Sequence, residues 1–240
     1  LWGNPLYDWR AMAEDGYRWW RERFARLLAL VDVVRVDHFR GFAACWAVPA
    51  GDATAAAGRW DQGPGAELFA ALERHLGPLP VIAEDLGVIT PDVVELRQRF
   101  GYPGMKVLQF AIDCDEAGVP LPLGCSRDTV VYSGTHDNNT AAGWYRRLAA
   151  EDPAAKACAD RYLGSGDAAW RMVELAYQSG AAAAIIPLQD LLGLDEAGRM
   201  NTPGTVGGNW EWRCPPDYAA GALAARLAAL AARYRRGRQT

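Results

Sequence analysis

The sequence predicts an α/β protein with parallel strands that forms part of a TIM-type (β/α)8 barrel. Three observations carry that expectation. Short, continuously apolar strand candidates alternate with amphipathic helices, the pattern of a parallel sheet covered on both faces. Five such strand-helix units follow one another within 240 residues, which suits a doubly wound sheet as well as a barrel. Acidic residues decide between them: they stand at or just past the C-terminal ends of VVRVDHF, VIAEDLG and VVYSGTHDN, and barrel active sites gather at that end from several strands.

The elements follow in order. The opening LWGNPLYDW carries no capping or targeting signal. Tyr17 to Leu30 places Tyr17, Trp20, Phe24, Leu27 and Leu28 on one face at helical spacing, so it is the first helix. VDVVRVDHF follows as a strand. The stretch VPAGDATAAAGRWDQGPG, rich in Gly, Pro and Ala, reads as a loop leading to the helix AELFAALERHL, which Gly77 and Pro78 stop. LPVIAEDLG is a short strand. Thr90 offers a capping hydroxyl and Pro91 fits the first helical position, so PDVVELRQRF is helix. GMKVLQFAI and TVVYSGTHD read as two further strands, DAAWRMVELAYQS as a helix, and AAAAIIPLQDLLGL contains the fifth strand. The last helix carries Leu223, Leu227, Leu230 and Tyr234 on one stripe. No internal repeat or interdomain linker interrupts this order, so residues 1–240 read as one piece of a catalytic barrel.

Composition narrows the function. Half the residues are hydrophobic and 22% are charged, which suits a soluble globular chain. The net charge is -4 and the basic residues are scattered, so no positive stripe is present for nucleic acid. No window approaches the roughly 18 apolar residues of a membrane helix, and no signal core opens the chain, so a cytoplasmic location without membrane contact is expected. Five cysteines form no CxxC pair and cannot all be paired, which predicts reduced thiols. His38, His75 and His136 have no metal-ligand spacing, and glycine clusters such as GPG lack the context of a dinucleotide site, so neither metal nor cofactor is assigned. The ten tryptophans serve cores more often than clefts, although indoles suit both.

The chemistry lies in the carboxylates. Alternate strand residues point the same way, so Arg35 and Asp37 share a face and Arg35 can hold Asp37 ionised; the same pair would also serve as an ion pair closing the barrel's end. Glu84 and Asp137 follow two other apolar strands. Carboxylates converging on one cleft push one another's pKa values apart, leaving one anionic and one a proton donor. That division of labour is the machinery of glycoside chemistry, in which one carboxylate attacks the anomeric carbon and the other protonates the leaving oxygen. His38 and Asp85 directly follow the candidates and are expected to face away from them.

The motifs WGNPLYDW, VRVDHFRGF, GRWDQGPG, LPVIAEDLGVITP, GYPGMKVLQFA, VVYSGTHDNNT, LQDLLGL and RMNTPGTVGGNWEWR, in that order, resemble the amylomaltase family, the 4-α-glucanotransferases also called disproportionating enzyme, relatives of the α-amylase barrels. The resemblance implies Asp37 as nucleophile, Glu84 as general acid/base and Asp137 as the third carboxylate, gripping sugar hydroxyls. It further implies that Arg35 orients the nucleophile, that His136 and Asn201 contact the sugar, and that Trp2 belongs to a loop covering the cleft. The implied partners are α-1,4-glucans and maltooligosaccharides. The implied activity is retaining transfer of glucan segments through a glycosyl-Asp37 ester; an α-1,4-glucan hydrolase and a noncatalytic glucan-binding remnant are the alternatives. Cys45 and the stretch LPLGCS at residues 121 to 126 depart from the family's usual residues, and Asn139 replaces a common aspartate. Because the family's proteins are about twice as long, the resemblance implies barrel strands four to eight here, with the N-terminal half absent.

Overall fold

The computed structural model describes residues 3–218 and 221–237. The chain divides into two compact units, Leu1–Met105 and Lys106–Thr240.

In the first unit, α1 (Trp9–Glu14) is capped by Asp8, whose carboxylate accepts the Ala11 N–H. Helix α2 (Arg18–Leu28) buries Trp20 and Phe24, the face its periodicity predicts. Strand β1 (Val34–Val36) alternates buried and half-buried residues but is shorter than expected, because a 3-10 turn at Phe39–Phe42 takes over. Phe39 and Phe42, three apart, both turn into the core, whereas an extended strand would send them to opposite faces. The stretch expected to be loop forms a hairpin, β2 (Ala44–Ala47) antiparallel to β3 (Arg59–Gln62), with Cys45 opposite Asp61 and Trp46 opposite Trp60. Helix α3 (Gly65–Leu76) and strand β4 (Val81–Ala83) follow as predicted. Helix α4 (Pro91–Arg99) starts at Thr90, but the Thr90 side chain caps no backbone N–H and pairs with Asp92 instead, lowering that carboxyl's pKa.

Strands β1 and β4 are parallel, with Val34, Arg35 and Val36 opposite Val81, Ile82 and Ala83. The core of this unit is strongly aromatic. The rings of Phe39 and Phe69 lie 5.4 Å apart, and Trp20 meets Phe42 edge-on at 5.4 Å, around the fully buried Leu68, Leu72 and Val93. Such ring pairs add about 0.5–1.5 kcal/mol each beyond the area they bury.

The second unit's sheet has the order β5 (Gly104–Val107), β6 (Thr129–Tyr132), β7 (Ala183–Ile185), with β6 and β7 parallel. The expected strand GMKVLQFAI stops at Val107, where α5 (Leu108–Ala111) begins. Helices α6 (Ala141–Glu151) and α7 (Pro153–Leu163) form where no element is predicted; Thr140 and Asp152 cap them by accepting the N–H of Gly143 and Ala155. Helix α8 (Ala168–Gln178) buries Trp170, Met172 and Val173. After β7 come α9 (Leu188–Leu191) and the closing α10 (Gly221–Arg233), whose stripe of Leu223, Leu227 and Leu230 is half-buried. Its Arg226 guanidinium stacks 3.5 Å from the Trp170 ring.

The expectation of reduced thiols fails for one pair. Cys114 and Cys158, 44 residues apart in sequence, form a disulfide, while Cys45, Cys125 and Cys214 are free. No local motif announces that bond, because it depends on α7 packing against the segment after α5. There Tyr162 donates its hydroxyl to the Asp113 carbonyl at 2.6 Å, and Arg161 reaches the Gly118 carbonyl. No described helix is long and apolar enough to cross a membrane.

Candidate active site

In the first unit the site begins where β1 and β4 end. Because Val36 stands opposite Ala83, the next residues along the two neighbouring strands are Asp37 and Glu84, at the same C-terminal end. Arg35 turns back from β1 so that its Nη2 lies 2.9 Å from Asp37 Oδ1; the Asp37 side chain is 78% exposed, so the pair orients the carboxylate more than it stabilises the fold. Arg35 Nε is anchored on the Met105 sulfur at 3.1 Å. Glu84 is held by the backbone of its surroundings. Its Oε2 accepts the His38 N–H at 2.6 Å and its Oε1 accepts the Leu86 N–H at 3.0 Å, while the Glu84 N–H donates to the Val36 carbonyl.

Asp85 faces away as expected. It accepts the Met105 N–H at 2.7 Å and pairs with the nearly buried Arg97 at 3.2 Å. It also fills the space a side chain at Gly104 would need, since a Cβ there would sit 2.3 Å from Asp85 Oδ2. His38 departs from the expectation. Its backbone adopts a left-handed φ of 48°, which breaks the strand alternation, and it lines the same cavity as Asp37. Gly41 leaves room for the imidazole.

That cavity, about 710 Å³, has an aromatic wall of Tyr7, Trp9, Trp20 and Phe42 and a polar side made by Arg35, Asp37, His38 and Asp61. Tyr7 and Trp20 lie 5.3 Å apart, ring to ring, and Trp9 stacks on Trp20 at 5.9 Å. Apolar ring faces beside convergent polar groups are what a sugar, with its C–H faces and hydroxyl edges, requires. Cys45 also lines the cavity, but burial, reinforced by Asp61, pushes its thiol up, so it is no nucleophile at neutral pH.

In the second unit the loop between β6 and α6 carries His136 and Asp137. Asn201 donates its Nδ2–H to Asp137 Oδ1 at 2.6 Å and its backbone N–H to the His136 carbonyl at 3.0 Å. Arg199 donates to the Asp137 carbonyl at 2.7 Å, and His136 Nε2 lies 3.4 Å from Asp137 Oδ2. The His136 ring lies 5.2 Å from Trp210, itself at a left-handed φ of 64° with its N–H on the Met200 carbonyl. Asp137, His136 and Asn201 thus form one hydrogen-bonded cluster. Trp2 lies outside the described residues.

Both ends of that loop are pinned by a residue the sequence reading did not single out. Asp190, at 1% exposure, accepts the Ser133 hydroxyl at 2.6 Å at the end of β6 and the Ala141 N–H at 2.7 Å at the start of α6. Burial raises its carboxyl pKa, and the two hydrogen bonds offset that in part. The sequence signal was a lone acid among leucines in LQDLLGL, which says only that such an acid needs partners. Tyr7 and Arg199 were not singled out, and Trp9 and Trp210 were weighed only among the ten tryptophans; Tyr7, Arg199 and Trp210 lie on irregular backbone, where periodicity assigns no direction, and Trp9 opens the short α1. Among the described residues no group of three His, Cys, Asp or Glu is placed to hold a metal ion.

The family described as 4-alpha-glucanotransferase matches residues 1–219. The 4-alpha-glucanotransferase of Streptococcus pneumoniae is 48% identical over 239 residues, covering 98% of this chain and 47% of that protein. The chloroplastic/amyloplastic 4-alpha-glucanotransferase of Arabidopsis thaliana is 51% identical over 218 residues, 90% of this chain and 37% of the plant protein. Among solved structures, the amylomaltase of Streptococcus agalactiae in complex with acarbose superposes with a TM-score of 0.90 at 35% identity, over 99% of this chain and 48% of that one. The chain spans about half the length of the curated relatives it matches.

Proposed function

The chain belongs to the 4-alpha-glucanotransferase family, and on that premise we propose that it carries the catalytic carboxylates of an enzyme transferring α-1,4-glucan segments between maltodextrins, or to glucose, with retention of configuration. On this reading β1, β4, β5, β6 and β7 are strands four to eight of a (β/α)8 barrel. The other strands belong to the part of the relatives that this chain does not match.

Asp37 attacks the anomeric carbon and Glu84 protonates the departing glycosidic oxygen. Glu84 then takes the proton of an acceptor hydroxyl as that oxygen displaces Asp37. Each Glu84 oxygen accepts one backbone N–H, which leaves a lone pair on each for the proton exchanged with the substrate oxygen. Arg35 orients Asp37, and Asp137, steadied by Asn201 and His136, grips sugar hydroxyls as the transition state forms. Trp2 is assigned to the loop that covers the bound sugar.

One observation carries the reading: Asp37 and Glu84 directly follow register-paired residues on adjacent parallel strands. Neighbouring strands run about 4.7–4.9 Å apart. Retaining enzymes need their two carboxyl groups about 5–5.5 Å apart, and inverting ones need about 6.5–9.5 Å. Placement on adjacent strands is compatible with the shorter, retaining separation. Incubating the full-length gene product with maltotriose tests this. Transfer yields glucose together with a ladder of longer oligomers that Asp37→Ala abolishes. Release of shorter sugars alone makes the enzyme a hydrolase, and no turnover with intact folding leaves a binder.

A further inference from the structure

The β2–β3 hairpin has two faces with different environments. Cys45 and Asp61, paired across the strands, line the cavity that holds Asp37. Strand alternation turns the next pair, Trp46 and Trp60, to the opposite face, and neither lines that cavity. There Trp46 is 42% and Trp60 55% exposed, with ring centroids 5.4 Å apart. Two large exposed indoles side by side lose their packing role and gain nothing from water.

Both rings are nonetheless fixed. The Trp46 indole N–H donates to the Ala55 carbonyl at 2.9 Å, and the ring occupies space that only a glycine at position 58 leaves open, since a Cβ there would lie 2.3 Å from its Nε1. The Arg40 guanidinium stacks 4.5 Å beneath Trp60 and is tied to the Val88 carbonyl. Its Nε is buried without a hydrogen-bond acceptor among the described residues, as a cation spent on a ring face would be. A rigid indole loses little freedom when a ligand stacks on it. The outer face carries little charge: Arg40 is occupied by Trp60, Arg59 and Asp61 alternate to the other face and pair with each other at 2.7 Å, and the tip from Gly51 to Gly58 holds Asp52 as its one charged residue. A neutral ligand with flat C–H faces and hydroxyl edges fits this platform better than a polyanion does.

We propose that Trp46 and Trp60 form a second glucan-binding site on the outer face of the hairpin, holding a remote stretch of a long α-1,4-glucan while another part reacts at Asp37. The inference rests on the glucan reading of the Asp37 site, but its primary readout does not require turnover. In native gels containing soluble starch, the full-length gene product is retarded. Trp60→Ala weakens that retardation by about tenfold, the loss expected of a well-placed indole anchor. Trp60→Phe restores most of the effect. Trp60→Leu keeps apolar bulk in the hairpin without a flat ring, so it stays folded, gives up the Arg40 stacking contact and is retarded by starch about as weakly as Trp60→Ala. In turnover, Trp60→Leu raises KM for long amylose and leaves maltotriose transfer unchanged.

Wild-type retardation in Trp60→Leu overturns the proposal, as does a wild type that starch does not retard, or an equal loss on maltotriose and amylose. Failure of the Asp37 reading shows separately, as a wild type that binds starch in the gel and transfers nothing from maltotriose.

Discussion

Replacing Asp190 is the sharpest test of how the second unit holds the loop that carries His136 and Asp137. Its carboxylate accepts two hydrogen bonds, at 2.6 Å from the Ser133 hydroxyl and at 2.7 Å from the Ala141 N–H, in a position only 1% exposed. Alanine removes both acceptors and leaves two buried donors. At about 1–3 kcal/mol for each orphaned donor, the loss is roughly 2–6 kcal/mol, and we expect about 3 because the serine hydroxyl can rotate toward another acceptor. Asparagine keeps an oxygen for Ala141 and presents its amide to Ser133, so Asp190→Asn stays within about 1 kcal/mol of the wild type at neutral pH.

The two variants also differ in their response to pH. Burial raises the Asp190 pKa above its ordinary 3.8 in the folded chain, so the folded state holds the proton more tightly. The stabilisation this brings is complete below the unfolded value and is lost as pH rises through the folded one. Asparagine does not titrate, so its stability relative to the wild type climbs as pH is raised from about 4 toward neutrality. Urea denaturation across that range, with unchanged slopes to keep the comparison valid, measures both effects. Asp190→Ala within about 0.5 kcal/mol of the wild type would refute the reasoning, because two orphaned buried donors cannot be that cheap.

Other outcomes follow from the same geometry. On the proposed reading, Asp37→Ala in the full-length gene product removes the nucleophile and lowers glucan transfer by about 10⁴-fold or more without unfolding it, measured as oligomer formation from maltotriose. Gly104→Ala drives a methyl group to 2.3 Å from Asp85 and disturbs its contacts with Met105 and Arg97, costing about 1–3 kcal/mol in thermal or chemical denaturation. Thiol labelling in denaturant counts three cysteines before reduction and five after it. Breaking the Cys114–Cys158 bond, which spans 44 residues of chain, lowers stability by up to about 4 kcal/mol; labelling of all five without reductant would contradict the bond.

The sequence made legible what repeats at a fixed period or carries a strong end signal. The α2 face of Trp20 and Phe24, the Gly77 stop of α3 and the Pro91 start of α4 fall where spacing and capping put them. It misled where two geometries share one apolar pattern. Phe39 and Phe42 extend an apolar run whether the chain stays extended or closes into a 3-10 turn, and Leu108 to Ala111 does the same after β5. The hairpin was hidden because its meaning lies in which residues pair across an exposed connection, a tertiary fact; Trp46 and Trp60 share no local signal. Helices α6 and α7 were readable in principle, since Thr140, Asp152 and Pro153 are ordinary start signals, but alanine-rich stretches gave no periodic stripe to anchor them. At the site, alternation placed Arg35 beside Asp37, yet it placed His38 wrongly because one left-handed residue resets the count.

The parallel pairing of β1 with β4 bears on how the protein is made as well as on what it does. Val34 meets Val81 only after the chain has travelled through the turn, the hairpin and the whole of α3. Contacts so distant in sequence incur their loop-closure cost before they return any stability, so they form late and slowly during refolding. Asp37 and Glu84 become neighbours only when these two strands dock. A refolding sample of the full-length gene product regains its helical circular dichroism before the transfer activity proposed for it, and the lag between the two signals times the docking of these strands.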